Sequence, residues 1–234
     1  MARPLALVTG ASRGIGRAIA LKLAAHYEIG AVARSADALR DLAQEIESGG
    51  GACRTIPLDL TDHAAITSAL RDLEPAVLVN NAGVGVIKPL LELTPEEWHR
   101  MVAINFDALF YVTRAVLPAM IRRGGGDVVT IGSLAGRNSF AGGTCYAGTK
   151  HAVIAFTESL MAEVRQQKVR VSVVMPGSVA TTMRASMRSF KEGTEPSWML
   201  TAEDVGAAVE YLIRQPENAH VSRIEMRPSR PGSQ

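Results

Sequence analysis

Thr9-Gly10-Ala11-Ser12-Arg13-Gly14-Ile15-Gly16 follows directly on the apolar run Leu5 to Val8 and leads into a helical pattern over Ile15 to His26. The spacing is G-x-x-x-G-x-G. In a strand-to-helix turn, glycines let the backbone approach a pyrophosphate and let the helix pack on its strand, while the helix N-terminus presents oriented N–H groups and positive potential. A triphosphate loop of the Gly-Lys-Ser/Thr type is disfavoured, because Gly16 is followed by Arg17-Ala18.

Working outward, Ile29 to Ala33, Arg54 to Leu58, Val77 to Val79, Val128 to Ile131 and Val169 to Val174 join Leu5 to Val8 as short Val/Ile/Leu-rich runs. Their lack of polar alternation suits strands covered on both faces. Helical patterns lie between them at Ala36 to Glu47, Ala64 to Leu73, Glu96 to Ile121 and Tyr146 to Gln166, and Ala202 to Ile213 follows. That rhythm predicts an α/β fold, a doubly wound parallel sheet. Without a repeat or low-complexity linker, residues 1–234 read as a single domain.

The 25 Lys+Arg and 23 Asp+Glu leave a net charge of +2, which points to no polyanion and argues against nucleic acid as a partner. Two cysteines, Cys53 and Cys145, make neither a disulfide framework nor a four-cysteine zinc site, so a reducing cytoplasm is expected and no metal. The stretch Leu5 to Val8 is too short for a signal-peptide core. Asn105, Asp107 and Arg114 interrupt the richest apolar stretch, Met101 to Ile121, so no membrane span is expected.

Tyr146 and Lys150 are four residues apart and share a helical face. An ammonium beside a phenol favours the phenolate, which would lower the tyrosine's ordinary pKa of about 10 and make it a proton donor and acceptor near neutrality. Ser133 lies just past Val128 to Ile131, at the strand end where open α/β sheets bind ligands, and its hydroxyl is placed to hold a substrate oxygen. A Ser133–His151 nucleophile pair is disfavoured, since no G-x-S-x-G surrounds the serine and His151 would point off the Tyr146/Lys150 face.

Together with the glycine loop, Asn80-Asn81-Ala82-Gly83, Asn105, Ser133, Tyr146-x-x-x-Lys150 and Pro176-Gly177-x-x-x-Thr181 occur in an order and spacing that resembles the short-chain dehydrogenases/reductases, from Leu5 to about Met183 and more loosely beyond. The resemblance implies a Rossmann-type sheet of about seven strands, order 3-2-1-4-5-6-7. It also implies hydride transfer between a nicotinamide cofactor and a small-molecule carbonyl or alcohol. By the same resemblance Tyr146 is the general acid/base, Ser133 orients the carbonyl, Lys150 tunes Tyr146 and binds the nicotinamide ribose, and Asn105 holds a proton-relay water. Gly10, Ser12, Arg13, Gly14, Ile15 and Gly16 would meet the pyrophosphate side of the cofactor. Asp59 and Leu60 would meet the adenine, and Asn81, Ala82 and Gly83 the adenosine ribose. Pro176, Gly177, Val179 and Thr181 would meet the nicotinamide. The segment at about 178–200, with Met183, Met187, Phe190, Trp198 and Met199, would cover a mostly apolar substrate. On the residues alone, Asp59 stays open between a turn or cap and a ligand group, and Asn105 between a ligand group and a buried helix-kinking amide.

The cofactor choice rests on Ile29 to Ala33, which ends without the acid an NAD-preferring site needs and is followed by Arg34. With Arg13 on the same approach, a 2′-phosphate and hence NADP(H) is expected. The ending His220 to Pro228 lacks the Asp/Asn-Gly-Gly tail of 3-oxoacyl carrier-protein reductases and resembles that of NADP-dependent enzymes of small 3-hydroxy acids. Arg223, Arg227 and Arg230 read as a solvated basic tail. The resemblance implies pairing through the helices Glu96 to Ile121 and Tyr146 to Gln166, which also carry more apolar positions than one buried stripe requires, so a homodimer or homotetramer is expected. The competing class is a catalytically silent nucleotide-sensing or scaffold protein on the same fold.

Overall fold

Short β-branched runs buried on both faces need helices above and below them, and the chain supplies these in strict alternation. The computed structural model describes residues 3–183 and 197–230. Its strands are β1 (Leu5–Thr9), β2 (Glu28–Ala33), β3 (Ala52–Pro57), β4 (Val77–Asn80), β5 (Gly126–Ile131), β6 (Val169–Pro176) and β7 (Arg223–Met226). All pair in parallel, in the order β3-β2-β1-β4-β5-β6-β7 that the resemblance implied. One face is packed by α1 (Gly14–Leu23), α2 (Ala36–Ser48) and α7 (Ala202–Ile213), through Ile19, Leu23, Leu39, Leu42, Val205 and Val209. The other is packed by α3 (His63–Leu70), α5 (Ala108–Arg122) and α6 (Thr144–Val164), through Ile66, Leu70, Val112, Val116, Leu160 and Val164. Because β1 has β2 on one side and β4 on the other, the winding reverses there and opens a crevice at the carboxyl ends of the strands.

Two elements depart from the reading of the sequence. The expected helix over Glu96 to Ile121 is α4 (Pro95–Val102), a π turn over Ala103–Asp107, and then α5. A reciprocal cap between Thr94 and Glu97 starts it. The whole run Pro95–Arg122 is long and apolar enough to cross a bilayer on length and composition alone, but half of its richest window is buried in the protein, as befits a core helix. Secondly, the segment read as a solvated basic tail contains β7, although Arg223, Arg227 and Arg230 are exposed as expected. Arg223 lies opposite Val173 on β6 and ion-pairs with Glu158, while Glu225 meets Arg227 at 3.3 Å. An edge strand with one half-buried face alternates charged and apolar residues, which hides it among loop-like sequence.

Arg170 secures the approach to β7. Its guanidinium grips Asp127 at 2.8 and 3.0 Å and donates to the carbonyls of Ile213, Gln215, Pro216 and Ala219, tying the end of α7 to β5 and β6.

Candidate active site

The glycine loop is built as its spacing requires. Gly10 and Gly14 adopt φ of +67° and +52°, the left-handed region that glycine enters at little cost. A Cβ on Gly16 would lie 2.3 Å from the Gly10 carbonyl oxygen, so only glycine lets α1 start this close to β1. The loop is held from below by Thr9, whose hydroxyl accepts from the backbone N–H groups of Asn81 (3.0 Å) and Ala82 (3.1 Å), and by the Asn81 amide, which donates to the Thr9 carbonyl at 2.9 Å. Asn81 and Ala82 therefore fix the loop as well as standing beside it. The first turn of α1 carries no acid to compete for an anion. Ser12 and Ile15 are half-buried, Arg13 is exposed, and Thr181 sits over Gly14, with Cγ2 3.5 Å from where a Cβ there would be.

At the end of β2, Arg34 is exposed and Ser35 caps α2. The nearby carboxylates of Asp37 and Glu45 go to Arg40 and Arg17, so neither Arg13 nor Arg34 has an ion pair among the described residues. Asp59 at the end of β3 accepts from both the backbone N–H and the hydroxyl of Thr61 at 2.9 Å. These bonds, led by the backbone one and assisted by the charges of Arg34 and Arg100, hold its carboxyl below the ordinary range. Asp59 is thus a turn residue with one oxygen left over. The Leu60 side chain is buried, as is that of Val179, which packs into the core and leaves only its backbone for a ligand. Pro176 closes β6, and Gly177 donates to the Met226 carbonyl at 2.9 Å, so β7 fixes this turn. The chain leaves the sheet edge and returns at one place: Ala180 donates to Leu200 and Leu200 to Ser178, at 2.8 and 3.0 Å. Met187 and Phe190, read as substrate-covering, lie outside the described residues; Trp198 is half-buried and Met199 buried.

Ser133, Tyr146 and Lys150 come together beyond the ends of β5 and β6. Ser133 leaves β5 in extended backbone, and its hydroxyl accepts from the Ala135 N–H at 3.1 Å. Tyr146 occupies the first turn of α6. Its burial pushes the phenol above its ordinary pKa, against a smaller opposite pull from a hydrogen bond with Ser133. The sequence expectation ran the other way. The reason is geometric: Lys150 shares the helical face, but its ammonium reaches under the strand end and donates to the Ile131 carbonyl at 3.0 Å. It is 6% exposed, and burial lowers it to about 8. Gly83 lies beside it and gives room to Asn105, since a Cβ there would stand 3.3 Å from Asn105 Oδ1 and in ordinary contact, 3.8 Å, with Nζ.

Asn105 lies in the π turn, a geometry that concentrates at functional sites. Its amide donates to the Val84 carbonyl (2.9 Å) and the Thr149 hydroxyl (3.0 Å), and its oxygen accepts from the Val84 N–H (2.8 Å). Both amide hydrogens are spent, so a water could take only the remaining lone pair or the backbone carbonyl. A cavity of about 10 Å³, bordered by Thr9, Asn80, Asn105, Thr130 and Lys150, adjoins them and is about the size of one water. His151 directs Nδ1 to the Ala147 carbonyl of its own helix at 2.8 Å, in keeping with an inert residue. Thr149 is the residue that sequence reasoning missed, because nothing in a helical threonine announces a partner 44 positions earlier.

Comparison with known proteins places this geometry in context. A family model described as short chain dehydrogenase matches residues 4–192. The NADP-dependent 3-hydroxy acid dehydrogenase YdfG of Salmonella typhi is 35% identical, over 96% of this chain and 94% of its own. The 3-oxoacyl-[acyl-carrier-protein] reductase FabG of Salmonella typhimurium is 35% identical over 89% and 88%. Among solved structures, the closed form of serine dehydrogenase complexed with NADP+ superimposes with a TM-score of 0.88 at 32% identity, covering 95% and 94% of the two chains. An alcohol dehydrogenase from Thermococcus sibiricus complexed with 5-hydroxy-NADP gives 0.89 at 29%, covering 99% and 100%.

The buried ammonium yields a signed pH dependence. An unfolded lysine titrates near 10.4, whereas Lys150 in the folded protein titrates at about 8, so between these values the unfolded chain holds a proton that the folded chain has lost. Stability contributed at this position rises with pH across that window. Lys150→Met should therefore be the more stable protein at pH 7 in urea melts without cofactor, with the gap closing between about pH 8 and pH 10. A gap independent of pH would mean that Lys150 is not charged and buried as described.

Proposed function

The chain belongs to the short-chain dehydrogenase family, and on that premise we propose that it interconverts a carbonyl and a secondary alcohol with NADP(H). The reading is carried by the convergence of Ser133, Tyr146 and Lys150 on one crevice with a glycine loop that excludes side chains at Gly16. When bound, the nicotinamide supplies or accepts the hydride. The protein's own groups do the rest. Gly10, Ser12, Gly14, Ile15 and Gly16 offer backbone to a pyrophosphate, and Arg13 and Arg34 offer guanidiniums to a 2′-phosphate. Asp59, Leu60, Asn81, Ala82 and Gly83 border the adenosine side, and Pro176, Gly177, Val179 and Thr181 the nicotinamide side.

In reduction the Ser133 hydroxyl holds the carbonyl oxygen, and as hydride reaches the carbon the Tyr146 hydroxyl gives its proton to that oxygen. A phenol held above its ordinary pKa starts the reaction protonated, as a donor must. Lys150, lowered to about 8, can exchange protons near neutral pH, and it would hold the nicotinamide ribose when the cofactor is bound. Asn105 serves from behind, keeping the π turn in register. The substrate is a small 3-oxo or 3-hydroxy acid or a related carbonyl. A 3-oxoacyl carrier-protein thioester is the second reading, favoured by the similarity to FabG. The setting is cytoplasmic, and residues 1–234 act as one domain. Trp98, Phe110 and Ile121, large apolar side chains left exposed on α4 and α5, suit a homodimer or homotetramer.

NADPH oxidation over a panel of ketones, quinones and 3-oxo esters tests the activity; tight NADPH binding without turnover of any member would favour the scaffold reading. Tyr146→Phe should lower turnover roughly 100 to 10,000-fold while NADPH affinity holds. Retention of more than about a tenth of wild-type turnover would remove Tyr146 from its role. One charge-assisted hydrogen bond from Arg34 contributes about 1.5 to 3 kcal/mol, a preference for NADPH over NADH of about 10 to 150-fold that Arg34→Asp should largely reverse. Equal catalytic efficiency of the wild type with both cofactors would defeat that assignment. Light scattering at micromolar concentration should give a dimer or tetramer mass, and a monomer would contradict the assembly.

A further inference from the structure

Lys150 is preceded by a threonine that the reaction itself does not require. Thr149 is buried, and its hydroxyl donates to the Tyr146 carbonyl one turn back, at 2.9 Å. That leaves an oxygen lone pair, and the Asn105 amide donates to it at 3.0 Å. Asn105 is in turn locked to the Val84 main chain by two bonds, and Val84 follows the Asn81-Ala82-Gly83 turn whose backbone grips Thr9. The result is a continuous connection of hydrogen bonds and main chain. It runs from the turn beside the glycine loop, through the π turn, to the peptide that carries Tyr146.

From this series we infer that Thr149 is a positioning residue: it sets where the first turn of α6, and with it the Tyr146 hydroxyl, stands relative to the 81–84 turn. The inference rests on the proposed role of Tyr146. Each bond in the series has one direction. With Asn105 Oδ1 held by the Val84 N–H, its amide nitrogen faces Thr149 and can only donate, so the threonine oxygen must accept from it, and the threonine hydrogen goes to the Tyr146 carbonyl. A valine has the same shape and neither function. It would orphan a buried amide hydrogen and free the start of α6 to shift, and a small misplacement of a reacting group is costly in rate.

The test compares Thr149→Val and Thr149→Ser with the wild type, using NADPH and whichever panel compound the wild type reduces fastest. Thr149→Val should lower kcat about tenfold or more with the KM for NADPH within about twofold, and Thr149→Ser, which keeps the hydroxyl, should return kcat to within about threefold of wild type. A Val variant within about twofold of wild-type kcat, or a Ser variant as slow as Val, overturns the inference. Thr149→Ala carries the same expectations should the Val variant not fold. A second readout separates this inference from the reading beneath it. In the cofactor-free protein, amide hydrogen exchange over both 81–86 and 144–150 should quicken at least about threefold in the Val variant and not in the Ser variant. If the wild type reduces no panel compound, the oxidoreductase reading falls and exchange alone decides; unchanged exchange in either segment then overturns the coupling.

Discussion

The bond from Lys150 Nζ to the Ile131 carbonyl places a positive charge under the end of a parallel strand, where the loss of water lowers its pKa. Much of the site is arranged around that charge. β5 must end at Ile131 with its carbonyl free to accept, and α6 must begin close enough for its second turn to reach under the strand. An isolated buried ammonium is unfavourable, and the fold tolerates it because two core clusters on either side of the sheet hold the surrounding strands in place.

The same desolvation acts in opposite directions on the two neighbours. It lowers the lysine and raises the tyrosine, so each group moves toward its neutral form. A neutral phenol is a proton donor in waiting, and a lysine near 8 exchanges protons at cellular pH. The exposed guanidiniums of Arg13 and Arg34 lie instead at the glycine-loop end of the crevice. On the proposed function, charge recognition and proton transfer would be kept at separate ends of one groove, with the Thr9, Asn81 and Ala82 hydrogen bonds tying the glycine loop to the 81–84 turn.

What the sequence made legible was whatever depends on local spacing. The G-x-x-x-G-x-G loop, the Val/Ile-rich strands and the four-residue step from Tyr146 to Lys150 each follow from backbone geometry over a few residues, and each stands where it was read. What it hid depends on distant contacts or burial. β7 alternates charge and apolar residues because one of its faces is open, so it reads as tail. The π turn at Asn105 is a one-residue irregularity inside a strongly apolar helical run. The rise in the Tyr146 pKa reflects the depth of the site, and the burial of the Val179 side chain in the core depends on packing, neither of which sequence spacing encodes. Thr149 was invisible because its distant partner, Asn105, becomes a neighbour only when the π turn is packed on α6.

The central claim is that one crevice carries hydride and proton to the same carbonyl. It is tested most directly with NADPH stereospecifically deuterated at C4 of the nicotinamide, in both epimers, and a 3-oxo ester, followed by mass spectrometry of the alcohol formed. The account predicts one deuterium on the carbinol carbon from one epimer and none from the other. An alcohol formed without deuterium from either epimer would contradict it.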